Sequence, residues 1–451
     1  MIGRSNTHRT MQTPPSETTG QPSTSPEPRA PQDSVVATHL VLLISGILVI
    51  LLTAYMAGKF LRHDLKDAEV WYDAGRRALE GRSLANLPHY RYPPTFAVLV
   101  APLCALGIAP FYFVWYLINL WLFGVSGALA RGICLPSAPH VPLRYHWLPL
   151  LLVAAFAIDN LILGQTNILV MALVYLTFLY DARDQEWLAG LPLGAAIAIK
   201  VFPAPLLAYF LFRIRPRLVA SALLACAFFL FILPASVRGF QRNLREVVDW
   251  GQRVPVPYLS RGQAGDWGQH ALDFGNQSLP AVARRYLTHV DAQVMAREAP
   301  SIYVNVADLN PQQANFVVLA LFAGLCVGFI AACGLRRPRS QLELAAEYAI
   351  ATVLLLLVSA LSWTYFFVML LLPVMLTLWL LENGKPLTRS SVWALRVGLW
   401  VLILATVLLV SHYARALGSL CIASLLFFVA LGKARRDLSA PSPTVSASPS
   451  G

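Results

Sequence analysis

Charge is scarce in this chain. Its 451 residues include 35 Lys and Arg and 23 Asp and Glu, 13% in all, against 57% hydrophobic residues. Soluble globular domains carry about 25% charged residues. A chain this long with so little charge cannot clothe itself in polar surface, which excludes a cytosolic enzyme along with the fibrous, disordered and disulfide-scaffold classes. Lysine is rarest: there are 5, against 30 Arg, and Lys59, Lys66, Lys385 and Lys433 lie in loops or at span ends, leaving Lys200 inside an apolar stretch. The six cysteines (Cys104, Cys134, Cys226, Cys326, Cys333 and Cys421) show neither CxxC nor metal-ligand spacing and read as small core residues. Also missing are a Walker A loop, GxGxxG, DxD, HExxH and any histidine pair at zinc spacing. Nucleotide-driven and metal-hydrolase chemistry therefore has no support, and no metal site is expected. The net charge of +12 sits in short basic clusters between apolar runs, the pattern of membrane flanks rather than of a nucleic-acid surface.

What the chain does have is long apolar runs. A helix crossing the bilayer needs about 20 apolar residues. Candidates are Val35–Gly58, Thr95–Leu106, Phe111–Ala130, His146–Leu163, Thr166–Tyr180, Trp187–Phe212, Leu218–Ser236, Phe316–Leu335, Leu344–Leu361, Tyr365–Leu381, Val392–Val410 and Ala414–Leu431, about twelve spans in all. Residues 1–34 and 433–451 read as disordered cytoplasmic tails around a membrane domain at 35–432. The basic clusters at 213–217, 336–339 and 433–436 are expected to face the cytoplasm, which places two large loops, 59–92 and 237–313, on the outer face. Span parity then puts the turn at 163–167 inside, although a hairpin with that turn outside fits almost as well.

In the first loop, Asp67–Glu80 has helical composition, with Trp71, Ala74 and Ala78 on one face and Gly81 as a stop, the pattern of a helix on the membrane surface. From its residues alone, Asp67 reads as an N-cap. Ionisable groups inside apolar runs are costly and point to function. Asp159, Asn160, Gln165 and Asn167 cluster in one such run, and Lys200 lies just before Pro203. Two readings stand for Lys200: a seat for a phosphate, or a packing ion pair with Asp159. Asn276-Gln277-Ser278 in the second loop is a glycosylation sequon by pattern, a binding surface, or a solvated stretch.

These landmarks, taken in order, resemble glycosyltransferase family 87, membrane enzymes of the GT-C class. The resemblance is carried by Asp67, Trp71-Tyr72, Ala74, Ala78-Leu79, Gly81 and Tyr90-Arg91-Tyr92-Pro93-Pro94. It continues through Gly164-Gln165-Thr166-Asn167, Lys200-Val201-Phe202-Pro203, Asn276-Gln277-Ser278-Leu279 and Ser362-Trp363. It implies an all-α, polytopic GT-C fold with juxtamembrane helices in both outer loops, in a multi-pass protein of the cell membrane. The implied activity moves a hexosyl group, typically mannose, from a polyprenyl-phosphate donor to a lipid or glycan acceptor, with inversion. The donor is a substrate, so no cofactor is expected. Asp67 matches the presumed general base. Lys200 would hold the phosphate, and Tyr72, Tyr92, Gln165, Asn167, Asn276, Gln277 and Trp363 would contact the substrates. Many members carry histidines where this chain has Tyr365 and Phe366; His89, His270 and His289 are candidate replacements. Rival readings are a secondary transporter, which predicts internal inverted repeats, and a degenerate, non-catalytic membrane subunit.

Overall fold

The computed structural model describes residues 32–62, 67–85, 87–135, 142, 144–261, 265–295, 300–383 and 387–440. The tail assignments for 1–31 and 441–451, and residues 63–66 of the first loop, lie outside the described residues. The protein is an all-α, polytopic membrane protein; among the described residues there is no named strand, only an isolated antiparallel bridge between Asn276 and Trp363. The helices in order are α1 (Gln32–Leu61), α2 (Asp67–Leu79), α3 (Pro94–Cys104), α4 (Ile108–Cys134), α5 (Arg144–Leu152), α6 (Ala154–Leu163), α7 (Asn167–Ala182), α8 (Glu186–Ile199) and α9 (Leu206–Phe212). They continue with α10 (Pro216–Ala227), α11 (Leu233–Arg238), α12 (Phe240–Arg253), α13 (Pro255–Arg261), α14 (Leu279–Leu287), α15 (Pro311–Cys333) and α16 (Gln341–Val358). The last are α17 (Leu371–Asn383), α18 (Arg389–Val407), α19 (His412–Ala416) and α20 (Ser419–Ser439).

Among the described residues, seven helices are long and apolar enough to cross a membrane, and an eighth span results if the α5–α6 pair, bent by 61°, is counted as one. Hydropathy suggested about twelve. The difference comes from breaks that hydropathy does not register. The 94–104 helix is 11 residues long, roughly 16 Å at 1.5 Å per residue, short of the bilayer core. The run Trp187–Phe212 is cut at Lys200–Pro205, and Ala414–Leu431 is divided between α19 and α20. Helix α20 continues to Ser439, past the boundary expected at 432.

Helix α7 packs between α4 and α8, and α8 packs on α10. The α8–α10 contact is close because a Cβ on Gly190 would fall 2.5 Å from the Leu218 carbonyl, and one on Gly194 would strike the Ala222 carbonyl. Small residues spaced four apart are how helices approach in a membrane, and this contact fixes α8 and so the position of Lys200 at its C-terminal end.

The three basic clusters meet at one end of the bundle. Arg213 donates to Glu347 at 2.7 and 2.8 Å and to the carbonyls of Cys333, Gly334 and Arg336. Arg435 reaches the same Glu347 at 2.7 Å, and Arg337 donates to the Ile214 carbonyl at 2.9 Å. Arg215 pairs with Asp181 of α7 and Glu186 of α8. Helix α16 carries Glu347 near its start and ends at Val358, next to the Ser362–Trp363 segment. Its 18 residues span about 27 Å, close to the roughly 30 Å hydrocarbon core. The basic clusters and the Trp363 segment therefore sit at opposite ends of the bundle, as do Asp181 and Asn167 on α7.

Candidate functional site

The site is built on the first residue of α2. Pro93 and Pro94 start α3, and α2, with Ala68, Trp71, Ala74, Gly75 and Ala78 buried, packs against it, Trp71 on Phe96 and Gly75 on Val100 and Cys104. The apolar face expected to lie on a membrane surface is thus spent on protein. Residues four apart share a helix face, so Asp67 and Trp71 point the same way. Both meet the 164–167 turn: the Trp71 indole donates to the Gly164 carbonyl at 2.9 Å, and Gln165 Nε2 donates to Asp67 Oδ2. The Trp115 indole donates to the same Gly164 carbonyl at 2.9 Å. This places the turn with the first loop, correcting the side that span counting gave it.

Gly164 is required in this place. Its φ is 67°, and a Cβ there would fall 2.5 Å from Ala68 Cβ. Gly164→Ala is therefore expected to destabilise the fold by about 1–3 kcal/mol and to pull Gln165 off Asp67. Thermal unfolding in detergent measures the first effect. Ala68→Gly in the same chain should restore part of the loss, since it removes the other clashing carbon; no recovery would mean that the steric account is wrong.

From Gln165 the contacts run on toward Lys200. The Tyr92 hydroxyl donates to Gln165 Oε1 at 3.3 Å and lies 3.0 Å from Thr166 Oγ1. Burial, opposed by the Thr166 bond and reinforced by the nearby Asp67 charge, raises the Tyr92 phenol above its ordinary pKa and keeps it protonated. Lys200 Nζ donates to Asn167 Oδ1 at 2.8 Å, and its ammonium lies 4.1 Å from the centre of the Phe366 ring, 5.5 Å from Tyr92 and 5.7 Å from Tyr365. Lys200 is thus tied to Asn167 rather than paired with Asp159, and among the described residues no carboxylate bridges it. An ammonium has three donors; with one on Asn167, others remain for an anion. The two positions where histidines were expected, Tyr365 and Phe366, are ring walls of this lysine. The candidate replacements stand elsewhere: His89 and His270 are exposed, and His289 stacks on Tyr303 at 4.5 Å.

Asn276 and Gln277 lie in the second loop and bond there to groups other than Asp67 and Lys200. Both are fully buried, and their polar groups are taken up by the protein. Asn276 donates to the Ala271 and Ala360 carbonyls and accepts from the Ser278 and Ser362 amides. Gln277 donates to the Phe274 and Arg415 carbonyls and accepts from the Leu420 amide. They clamp the second loop onto the Ser362–Trp363 segment. Arg285, also fully buried, adds to the clamp by donating to the Asp273, Asn276 and Ala416 carbonyls. Burial lowers its pKa to about 10, with Cys421 and Asp273 pulling the other way, so it remains a cation at neutral pH. The clamp holds the Trp363 indole over Gly275, where a Cβ would fall 2.7 Å from the ring. Tyr72 packs its ring on Phe111 at 5.7 Å.

The structure therefore gathers Asp67, Gln165, Tyr92, Asn167 and Lys200 into one connected group, while Tyr72, Asn276 and Gln277 make their contacts elsewhere. Trp115 escaped the sequence reading because nothing in an apolar helix marks one indole as a hydrogen-bond donor to a distant turn.

The family model described as Glycosyltransferase family 87 matches residues 90–360. Among curated proteins, the chain is similar to a polyprenol-phosphate-mannose-dependent alpha-(1-2)-phosphatidylinositol mannoside mannosyltransferase of Mycobacterium tuberculosis. It is 31% identical over 214 residues, 42% of this chain and 48% of that protein. The protein of the same description from Mycolicibacterium smegmatis is 31% identical over 174 residues, 33% of this chain and 38% of that protein. An alpha-(1->3)-arabinofuranosyltransferase of Mycobacterium tuberculosis is 30% identical over 127 residues, 27% of this chain and 28% of that protein. The chain thus spans less than half the length of each of these relatives. No solved structure matches it.

Proposed function

The chain belongs to glycosyltransferase family 87, and from that premise we propose that it transfers a hexosyl group, mannose, from a polyprenyl-phosphate donor to a lipid or glycan acceptor at the outer membrane face, with inversion. The observation that carries this reading is the linked pair of an acid and an amine: the Asp67 carboxyl group on Gln165, and Lys200 Nζ on Asn167, joined through Tyr92.

An inverting transfer needs a base on one side of the anomeric carbon and stabilisation of the departing phosphate on the other. Asp67 takes the proton from the acceptor hydroxyl as its oxygen attacks the anomeric carbon. The bond from that carbon to the phosphate oxygen breaks, and the phosphate leaves with the electron pair. Lys200 balances its charge with donors already in position. Gln165 orients the carboxylate, Asn167 and the rings of Tyr92 and Phe366 aim the ammonium, and Trp363 lines the approach. The sugar-phosphate bond supplies the driving force. The outer-face assignment rests on the basic clusters gathered at the far end of α7, α8 and α16, since such clusters favour the cytoplasm.

Incubating membranes with radiolabelled polyprenyl-phosphate mannose and lipid or glycan acceptors tests the reading; no transfer to any acceptor would overturn it. Lys200→Met should weaken donor binding. Loss of charged hydrogen bonds costs about 1.5–3 kcal/mol, roughly 10- to 100-fold in affinity. An unchanged donor KM in Lys200→Met would remove the lysine from the phosphate seat.

A further inference from the structure

Helix α18 has two unlike faces. Ser391, Leu395, Gly398, Leu402 and Ala405 are buried, and a Cβ on Gly398 would fall 3.1 Å from the Phe427 ring of α20. At about 100° per residue, Arg389, Trp393, Arg396, Trp400, Leu404 and Val407 fall on the opposite side, in a strip about 80° wide. All six are exposed outside the bundle, the two indoles by 68% and 69%. Among the described residues neither guanidinium group has a hydrogen-bond or ion-pair partner, and α18 carries no acid of its own. Asp437 of α20, which meets the start of α18, accepts instead from the Thr388 amide and hydroxyl at 2.8 and 2.7 Å.

The strip lies on one of the helices able to cross a membrane, Arg389–Val410. Its 22 residues rise about 33 Å, and Arg396 stands about 10 Å along that axis from Arg389. A charge at that depth facing away from the bundle is costly in hydrocarbon unless it reaches a polar group. Helical side chains lean toward the N-terminus of their helix. The start of α18 is at the end of the bundle where the basic clusters meet, because Asp437 follows Arg435 of the Glu347 triad by one helical half-turn. The reach of Arg396 is therefore back along Trp393 toward Arg389 and the headgroups. Deeper in, Trp400, Leu404 and Val407 continue the strip without charge. The strip is cationic at its headgroup end and apolar at its acyl end, which complements an anionic phospholipid.

We propose that this strip seats one anionic phospholipid, drawn from the leaflet on the side of the basic clusters. Its phosphate lies between Arg389 and Arg396, whose planar forks suit phosphate oxygens. The Trp393 indole offers an N–H between them, and an acyl chain runs along Trp400, Leu404 and Val407. Two cations with no carboxylate on the helix favour a net negative headgroup over a zwitterionic one, whose own cation would be a third positive charge. The site is separate from the group around Asp67 and Lys200, to which α18 contributes no residue, and it does not depend on the transferase reading.

Native mass spectrometry of the full chain, titrated in mild detergent with phosphatidylglycerol or phosphatidylcholine, counts the lipids held. The parent should hold one phosphatidylglycerol roughly tenfold more tightly than phosphatidylcholine, the scale of a charge-assisted hydrogen bond. Arg389→Gln combined with Arg396→Gln should bring the two lipids to parity. Arg217→Gln, which removes an exposed arginine of another cluster, should keep the parent's preference. The double variant should also unfold at the parent's temperature in phosphatidylcholine, since neither arginine holds a protein group; a lower temperature would mean a protein contact at the strip and count against the lipid. No preference in the parent, or an undiminished one in the double variant, overturns the inference. So does a parent dimer that the double variant turns into a monomer, because a second copy would then cover the strip.

Discussion

Asp67→Asn is expected to slow sugar transfer by about 100- to 10,000-fold, the range attached to loss of a positioned general base, while donor affinity stays where it was. The substitution keeps the size of the side chain and the first position of α2, so the α2–α3 packing is untouched. What it removes is the ability to accept a proton. The carboxylate is held for that role from two sides. It sits in the first turn of α2, where the helix N-terminus favours negative charge, and Gln165 Nε2 donates to one of its oxygens. Lys200 remains on Asn167, so the donor phosphate keeps its partner and only kcat should fall. Initial rates at saturating donor, together with the donor KM, separate the two effects. An unchanged kcat would end the base assignment, and a raised KM with normal kcat would make Asp67 a donor contact instead. Gln165→Leu should lower kcat less than Asp67→Asn, because it frees the carboxylate without removing it.

The part of this site that sequence made visible is the part built from local pattern. The 67–80 helix, its buried face and its stop at Gly81 follow from helical spacing. The turn at 164–167 and the break after Lys200 are marked by Gly, Asn and Pro standing in apolar runs. The bonding of Asn276 and Gln277 is not legible in sequence, because polarity alone does not say whether a side chain serves a ligand or its own backbone. In a loop that folds over a buried segment, the unpaired carbonyls and amides of that segment claim them first. Among the described residues seven or eight helices are long and apolar enough to cross, against about twelve apolar runs in the sequence, because hydropathy measures composition and not the continuity of a helix. Pairings across the bundle lay further out of reach: Glu347 finds Arg213 and Arg435 at sequence separations of 134 and 88, and none of the three carries a local sign of its partner.

That buried triad supports the other large expectation. Glu347→Leu should destabilise the protein by about 3–5 kcal/mol, the usual result of removing one partner from a buried charge pair. Glu347 is wholly buried, and its oxygens accept from Arg213 at 2.7 and 2.8 Å, from Arg435 at 2.7 and 3.1 Å and from Tyr209 at 3.3 Å. Leucine would leave two buried guanidinium groups with, among the described residues, one carboxylate contact between them, that of Arg435 with Glu343 at 3.3 Å, beside the carbonyls that Arg213 already holds. The cost is chiefly that of stranded charge, so removing the charges should recover most of it. Glu347→Leu combined with Arg213→Met and Arg435→Met is expected to be far closer to the parent than Glu347→Leu alone. Denaturant unfolding in mixed micelles measures both. A Glu347→Leu variant as stable as the parent would show that the triad adds nothing, and a triple variant worse than the single one would show that Arg213 acts mainly through the Cys333, Gly334 and Arg336 carbonyls. The folded fraction of Glu347→Leu should keep the parent's donor KM. Lys200 sits on α8, whose far end is held by a separate cation, Arg215, on Glu186 and Asp181. Weakening one lock at that end should therefore leave the phosphate seat at the other end in place.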